Sequence, residues 1–298
     1  MGSQGTATDG VQAQGMAAYA APSLFQPHRA RQALRDAHEG KIPPLLGYYA
    51  GLSSVPISRY LAPMNYDCVW VDWEHTSCNV ETMTTIVHET IFMSHGRTIP
   101  FVRVPGHDHA AIGYALDAGA SIVVPQVETV EQAKHVLSAA KYGTKHNGTR
   151  SAPPFRLVRG LTDRPYDPSR DIHRCLNDQA AVMFQIESLE GIRNLDAILT
   201  ACPDADAIWL GSLDCRISMN LPGNGGMGGS EPEWQEAVGL FKETMRKHDK
   251  PYSGFYMGPP EGVKKGIEGM CMAYIDADVV ALGGMYEKLG AMKQAIAQ

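Results

Sequence analysis

Two acidic residues stand where apolar runs end. Glu187 closes AVMFQIE at 181–187, and Asp214 closes AIWLGSLD at 207–214. Adjacent strands lie about 4.8 Å apart, so two carboxylates at such tips can share one cation. Mg²⁺ commonly takes one or two protein carboxylates and leaves its other positions to water and substrate oxygens. The alternative is a pair of helix N-caps just past the strands. A third run, CVWVDW at 68–73, leads into Asp72-Trp73-Glu74-His75. There Asp72 can fix the tautomer of His75 and prepare it as a base, or make an ordinary strand-end hydrogen bond. Arg103 lies at the end of a fourth run, TIPFVRV at 98–104. An arginine at the mouth of an apolar strand needs an anionic partner. Its fork suits a carboxylate or an enolate oxygen, or a barrel carboxylate in a structural ion pair. His88 and His135 read as surface or helix-packing residues. Together, one arginine, one Asp/His pair and two metal-type carboxylates suit enolate stabilisation. Metal and arginine hold developing negative charge, and the histidine moves protons.

These residues need a scaffold that brings strand ends to one face. Four more apolar runs complete a set of eight: 43–50, 121–127, 251–257 and 276–283. Near-continuous hydrophobicity fits strands buried on both faces. Helical patterns lie between them. One starts at Val80 after the N-cap candidate Asn79, and one at His109 after Asp108. Two more start at Val127 and Leu189, with apolar residues along one face. Eight strands alternating with helices predict a single-domain (β/α)8 barrel, whose active site lies at the C-terminal strand ends. No GxGxxG follows the first run, which argues against a dinucleotide-binding open sheet.

Two connections are longer than the rest. Residues 141–180 hold eight Lys or Arg against four Asp, and residues 221–230 are glycine-rich. The second follows the sixth strand on the active face. The first enters a strand at its N-terminal end. Neutralising its Arg150, Arg156 or Arg159 would separate two roles, framing a second pocket for a bulky anionic acceptor or making subunit contacts.

With 298 residues, 44% of them hydrophobic, the chain can bury a large core. Its net charge of -6 disfavours nucleic acid as a partner. No apolar run reaches the length of a membrane span. The six cysteines form no CxxC pair and read as reduced thiols of a cytoplasmic protein. Residues 1–24, rich in Gly, Ala, Gln and Ser, read as a flexible tail and not a signal peptide, leaving 25–298 as the barrel domain.

Over residues 43–290 the chain resembles the HpcH/HpaI family of class II pyruvate aldolases. The likeness rests on GYYAGLSSVPISRYLA at 47–62, VDWEH at 71–75, FVRVP at 101–105, LDAGA at 116–120, VVPQV at 123–127, QIES at 185–188 and WLGSLD at 209–214. The resemblance implies Glu187 and Asp214 as Mg²⁺ ligands, with Mn²⁺ or another divalent cation as a substitute. It implies Arg103 at the oxygen of a 2-oxo acid and His75 with Asp72 as the acid–base pair. Gln185 and the backbone at Gly211, Ser212 and Leu213 would line the pyruvate site. It further implies a homo-oligomer, commonly a hexamer with an exchanged C-terminal helix. The chain departs from the family pattern at Ser212, where proline is usual, and at Cys215-Arg216, where Leu-Ser is common.

The function expected from this is a Mg²⁺-dependent lyase that decarboxylates oxaloacetate to a pyruvate enolate and adds it to an acceptor such as a 2-pyrone. One alternative is cleavage of a 4-hydroxy-2-oxo acid to pyruvate and an aldehyde. Another is a barrel protein without activity, which would bind no divalent metal and leave oxaloacetate untouched.

Overall fold

The second to fifth strands of the barrel are buried on both faces, because one meets the barrel axis and the other meets a helix. The computed structural model describes residues 15–297 apart from 144, 146 and 155. Eight parallel strands close in chain order into a barrel, the predicted (β/α)8 fold. They are β1 (Leu45–Ala50), β2 (Cys68–Asp72), β3 (Ile99–Arg103), β4 (Ser121–Val124), β5 (Val182–Ile186), β6 (Ala207–Leu210), β7 (Tyr252–Phe255) and β8 (Met270–Ala277). Side chains alternate along them with the two-residue period of a strand. Trp70, Phe101, Met183 and Trp209 fill the interior with Leu45 and Tyr274. Val69, Val71, Val102, Phe184 and Ile208 face the helices.

The helices are α1 (Ala30–His38), α2 (Val55–Leu61), α3 (Val80–Met93), α4 (His109–Asp117), α5 (Val130–Ala140), α6 (Ile172–Gln179), α7 (Leu189–Ala201), α8 (Ser212–Ser218), α9 (Pro232–Lys247), α10 (Val263–Gly266) and α11 (Asp278–Ile296). Asn79 and Asp108 cap α3 and α4, accepting from the backbone N–H of Thr82 and Ala111. The helix expected from Val127 begins three residues later, because Thr129 and Gln132 form a capping box there.

Two expected strands end elsewhere. The sixth apolar run extends through 214, yet β6 stops at Leu210. Gly211 N–H makes a bond to Ile186 O at 2.8 Å, and the chain then turns into α8. The eighth apolar run covers 276–283, but β8 is Met270–Ala277 and 278–283 belong to α11. Both stretches are short apolar runs, which periodicity cannot tell apart. Pairing decides between them, since Leu45↔Met272 through Tyr49↔Ala277 closes the barrel. Asp278 then accepts from the N–H groups of Gly51 and Leu52, fixing the strand-to-helix corner.

Of the expected tail, residues 1–14 lie outside the described residues. Residues 15–24 pack on the barrel, with Tyr19 and Ser23 buried and the Tyr19 hydroxyl donating to Asp36 at 3.0 Å. Ala30, Ala33 and Leu34 of α1 are buried in the same cluster as the barrel interior. The last helix, α11, leaves the barrel and exposes Met285, Tyr286, Leu289, Met292 and Ile296. Among the described residues no helix is long and apolar enough to cross a membrane.

Candidate active site

The interior-facing line of each strand continues past the packed core into polar residues. Two steps beyond Trp70 is Asp72, two beyond Phe101 is Arg103, and Gln185 and Glu187 follow Met183. At the C-terminal mouth these lines open into a cavity of about 620 Å³. It is lined by Arg103, His75, Gln185, Glu187, Gly211, Ser212, Leu213 and Asp214, all of them expected site residues, together with Tyr49, Trp70, Trp209 and Phe255. Asp72 lies just behind this lining, 1% exposed. The floor is aromatic: the Trp70 and Trp209 rings meet edge to face at 4.7 Å, and Phe255 meets Trp209 at 4.9 Å.

Asp72 and Arg103 are register partners on β2 and β3. Arg103 donates from Nε to Asp72 Oδ1 at 3.0 Å and from Nη2 to Oδ2 at 2.7 Å. Tyr49 closes the triangle, its hydroxyl donating to Asp72 Oδ2 at 2.5 Å and accepting from Arg103 Nη2 at 3.1 Å. Burial alone would raise the Asp72 carboxyl, but the hydrogen bonds and charge of Arg103 outweigh it and hold the group below its ordinary range. Glu74 stands on the other side, 3.2 Å from Arg103 Nε. Among the described residues Arg103 Nη1 makes no hydrogen bond. So the buried-ion-pair alternative for Arg103 is present in the structure, and it leaves one edge of the fork toward the cavity.

The expected pairing of Asp72 with the His75 ring is not what the structure brings together. Asp72 Oδ1 accepts from the backbone N–H groups of Glu74 and His75, at 3.1 and 3.3 Å. The carboxylate beside the ring is Glu74, with Oε2 3.7 Å from His75 Nε2. The His75 side chain is 66% exposed at the mouth. A spacing of three residues leaves Asp72 at the strand end and His75 beyond it in the turn, so their side chains diverge.

Glu187 is held from two sides. Gln185 Nε2 donates to Oε1 at 2.6 Å, and the Gln126 N–H donates to Oε2 at 3.0 Å. Gln126 adopts a left-handed backbone, φ 51°, to aim that N–H. Gly211 is obligatory beside it, since a Cβ there would lie 2.6 Å from Glu187 Oε1. Burial, and next the charge of Asp214, push the Glu187 carboxyl up to about 7. Asp214 sits in the first turn of α8. The N-cap after β5 is Ser188 and that of α8 is Gly211, so neither acidic residue serves as the helix cap.

This donor set fits a divalent cation. Two carboxylates share one cavity, and among the described residues neither forms an ion pair with a protein cation. Glu187 retains lone pairs beyond its two hydrogen bonds. No group of three or more metal-type side chains forms among the described residues, so a cation here would complete its shell with water and substrate oxygens, as Mg²⁺ does.

Sequence reasoning missed Tyr49, Glu74 and Gln126. Tyr49 stands one residue before the end of an apolar run, opposite Trp70 in register, and its hydroxyl reaches past that level to Asp72. The positive φ of Gln126 has no signature in its neighbours. The basic segment lies elsewhere. Arg150 pairs with Asp117 at 2.7 Å and stacks on Tyr142, and Arg156 donates to Asp117 O. Arg159 and the rest of that segment's described residues are absent from the cavity lining.

A profile of the HpcH/HpaI aldolase/citrate lyase family matches residues 46–239. The chain is 28% identical to a 4-hydroxy-2-oxo-heptane-1,7-dioate aldolase of Shigella sonnei over 83% of its length and 90% of the relative's. Among solved structures it is similar to macrophomate synthase, with a TM-score of 0.84 and 31% identity across 98% of each chain. It is also similar to an HpcH/HpaI aldolase/citrate lyase family protein from Burkholderia cenocepacia J2315, with a TM-score of 0.71 and 25% identity over 90% of this chain and 97% of the other.

Proposed function

The chain belongs to the HpcH/HpaI aldolase/citrate lyase family and is a carbon–carbon lyase, and from that premise we propose that it decarboxylates oxaloacetate and adds the resulting pyruvate enolate to an acceptor such as a 2-pyrone. The observation that carries this reading is one cavity lined by Glu187, Asp214, Arg103 and His75 over an aromatic floor. Similarity to macrophomate synthase along 98% of both chains supports it.

Glu187 and Asp214 would hold a divalent cation, Mg²⁺ or Mn²⁺. When bound, that cation supplies a Lewis acid for negative charge developing on the 2-oxo oxygen. Arg103, fixed by Asp72 and Tyr49, presents its remaining N–H edge to the same oxygens without reorganising. Gln185 steadies Glu187, and the Gly211–Leu213 backbone lines the 2-oxo acid's place. As the C3–C4 bond of oxaloacetate breaks, its electron pair passes into the enolate and CO₂ leaves. His75 at the mouth then delivers a proton to C3, giving pyruvate. Alternatively, C3 forms a new carbon–carbon bond with an acceptor. The apolar wall of Trp209, Phe255, Met257, Val279 and Val280 suits a flat, weakly polar acceptor.

Cleavage of a 4-hydroxy-2-oxo acid is the second reading, supported by the aldolase name of the Shigella sonnei relative. An assay of purified protein with oxaloacetate and Mg²⁺, with and without a 2-pyrone, tests the first reading. A panel of 4-hydroxy-2-oxo acids assayed for pyruvate release tests the second. The exposed apolar side chains of α11 support a homo-oligomer, with a hexamer expected for this family. Six unpaired cysteines support a reducing, cytoplasmic setting.

A further inference from the structure

The glycine-rich loop over the cavity is fastened at both ends by one side chain. Arg216 of α8 is completely buried. Its Nε donates to Pro222 O at 2.7 Å, where the loop begins. Its Nη1 and Nη2 donate to Glu231 Oε2 and Oε1 at 2.9 and 2.7 Å, where the loop ends and α9 starts. The guanidinium also lies 5.3 Å from the centre of the Trp234 ring. Between these anchors Gly225, Gly226 and Met227 line the cavity beside Asp214. Ser212 adds a third tie, its hydroxyl donating to Gly226 O at 2.5 Å. Ser212 and Arg216 are both departures of this chain from the family's second metal motif.

Between the anchors no residue of 222–230 is buried, and the other bonds there are a short turn at 223–227, Asn224 Nδ2 donating to Gly228 O at 3.0 Å and Gln235 Nε2 donating to Gly229 O at 2.5 Å. Gly225, Gly226 and Gly228 all adopt positive φ, and Met227 is 70% exposed. Segments with few buried apolar contacts open at low free-energy cost, so the closed form depends on its anchors. A planar fork reaching one carbonyl and both oxygens of a carboxylate is work that a lysine cannot do.

Resting on the proposed function, we propose that Arg216 is a positioning residue for the second half-reaction: by clamping both ends of the 222–231 loop, it keeps Gly225–Met227 as a cover over the enolate and so favours carbon–carbon bond formation over protonation by water. Decarboxylation needs only the residues below the cover. Coupling needs the enolate to outlast the arrival of an acceptor, which is what excluding water achieves.

Two variants test this. Arg216→Lys keeps the charge and loses the fork. Gly229→Ala leaves Arg216 untouched but places a Cβ 2.2 Å from Arg216 Nη1 and 2.1 Å from Glu231 Oε2, prising the clamp apart. Hydrogen exchange of the 221–230 peptide is measured beside oxaloacetate decarboxylation and the fraction of turnovers coupled to a 2-pyrone. The expected result is faster exchange in that peptide alone, nearly unchanged decarboxylation, and a coupled fraction reduced severalfold in both variants. Unchanged exchange, or faster exchange with an unchanged coupled fraction, overturns the clamp's role while leaving the proposed function standing. A wild-type protein inert toward oxaloacetate overturns the proposed function itself, and the role of the loop with it.

Discussion

Asp72 holds Arg103 through both carboxylate oxygens, at 3.0 and 2.7 Å, with the Tyr49 hydroxyl bridging the pair. The arginine is therefore oriented by a neighbouring strand before any substrate arrives. That makes Asp72 the orienting partner of Arg103 rather than of the His75 ring, and it separates the consequences of altering either residue.

Removing one partner from a buried ion pair typically costs about 3–5 kcal/mol. Asp72→Asn should lose stability of this order in chemical denaturation and lose activity along with it. The folded-state carboxyl titrates below its ordinary value. Its contribution is thus fully present above the unfolded pKa of about 3.9 and is lost as pH falls through the folded one. The deficit of the variant should accordingly stay constant from neutral pH down to mildly acidic pH. A deficit that vanishes on mild acidification would contradict the pairing.

Arg103→Lys keeps a charge but cannot bond both Asp72 oxygens and Tyr49 and still face the cavity. Turnover should fall by roughly 10²–10³, the loss typical of one preorganised donor. Steady-state kinetics with oxaloacetate measure it, and a near-wild-type rate would restrict Arg103 to a structural role.

Glu187 carries its penalty in the opposite direction. Its folded carboxyl is raised from 4.5 to about 7 by burial and by Asp214. The folded state therefore binds the proton more tightly than the unfolded state does. Stability is highest below the unfolded pKa and falls as pH rises through 7, by something on the order of 3 kcal/mol. Metal-free Glu187→Gln should melt higher than metal-free wild type at alkaline pH, with the difference closing in acid. Mg²⁺ should raise the melting temperature of the wild type above neutral pH, lose that effect below it, and leave the variant unmoved. Equal melting curves with chelator at alkaline pH would refute the assignment.

His75 is exposed at the mouth, with only Glu74 near its ring. As a proton carrier it should contribute about 10²–10⁴ to the steps that move a proton. His75→Ala should therefore slow pyruvate release from a 4-hydroxy-2-oxo acid far more than CO₂ release from oxaloacetate. Equal losses in both assays would remove this division of labour.

Met285 and Leu289 are 67% and 51% exposed on α11. If that helix is covered by another copy of the chain, replacing both with Glu should shift the protein to smaller species in light scattering after gel filtration, with the barrel still folded by circular dichroism. An unchanged mass would dissociate α11 from assembly.

The barrel was legible because buried parallel strands write themselves as apolar runs, and the first seven runs each contain an observed strand, although the sixth runs on past β6 into α8. The eighth was displaced because 270–277 and 278–283 are both short and apolar, and only the pairing of β8 with β1 chooses between them. Arg103 and Glu187 were legible from their places at strand ends, whereas Asp214 lies in the first turn of α8, past the end of β6. The Asp72–Arg103 pairing was hidden, since it joins neighbouring strands 31 residues apart, while the sequence offered His75 three positions away. Tyr49, Glu74 and Gln126 act through hydrogen bonds, charge and a backbone twist that only the folded chain reveals.

The alternation along β5 makes the active centre a matter of reading frame. Met183, Gln185 and Glu187 look inward while Phe184 and Ile186 look outward. Deleting a single residue from this strand would scarcely change its hydrophobicity or its capacity to pair, yet it would exchange the two sets. Ile186 would then occupy the mouth of the barrel and Glu187 would be driven under the helices. A chain carrying such a frameshift in space could keep the outline of a barrel while having lost its chemical address. Length changes therefore belong in the loops, where the count of residues carries no parity.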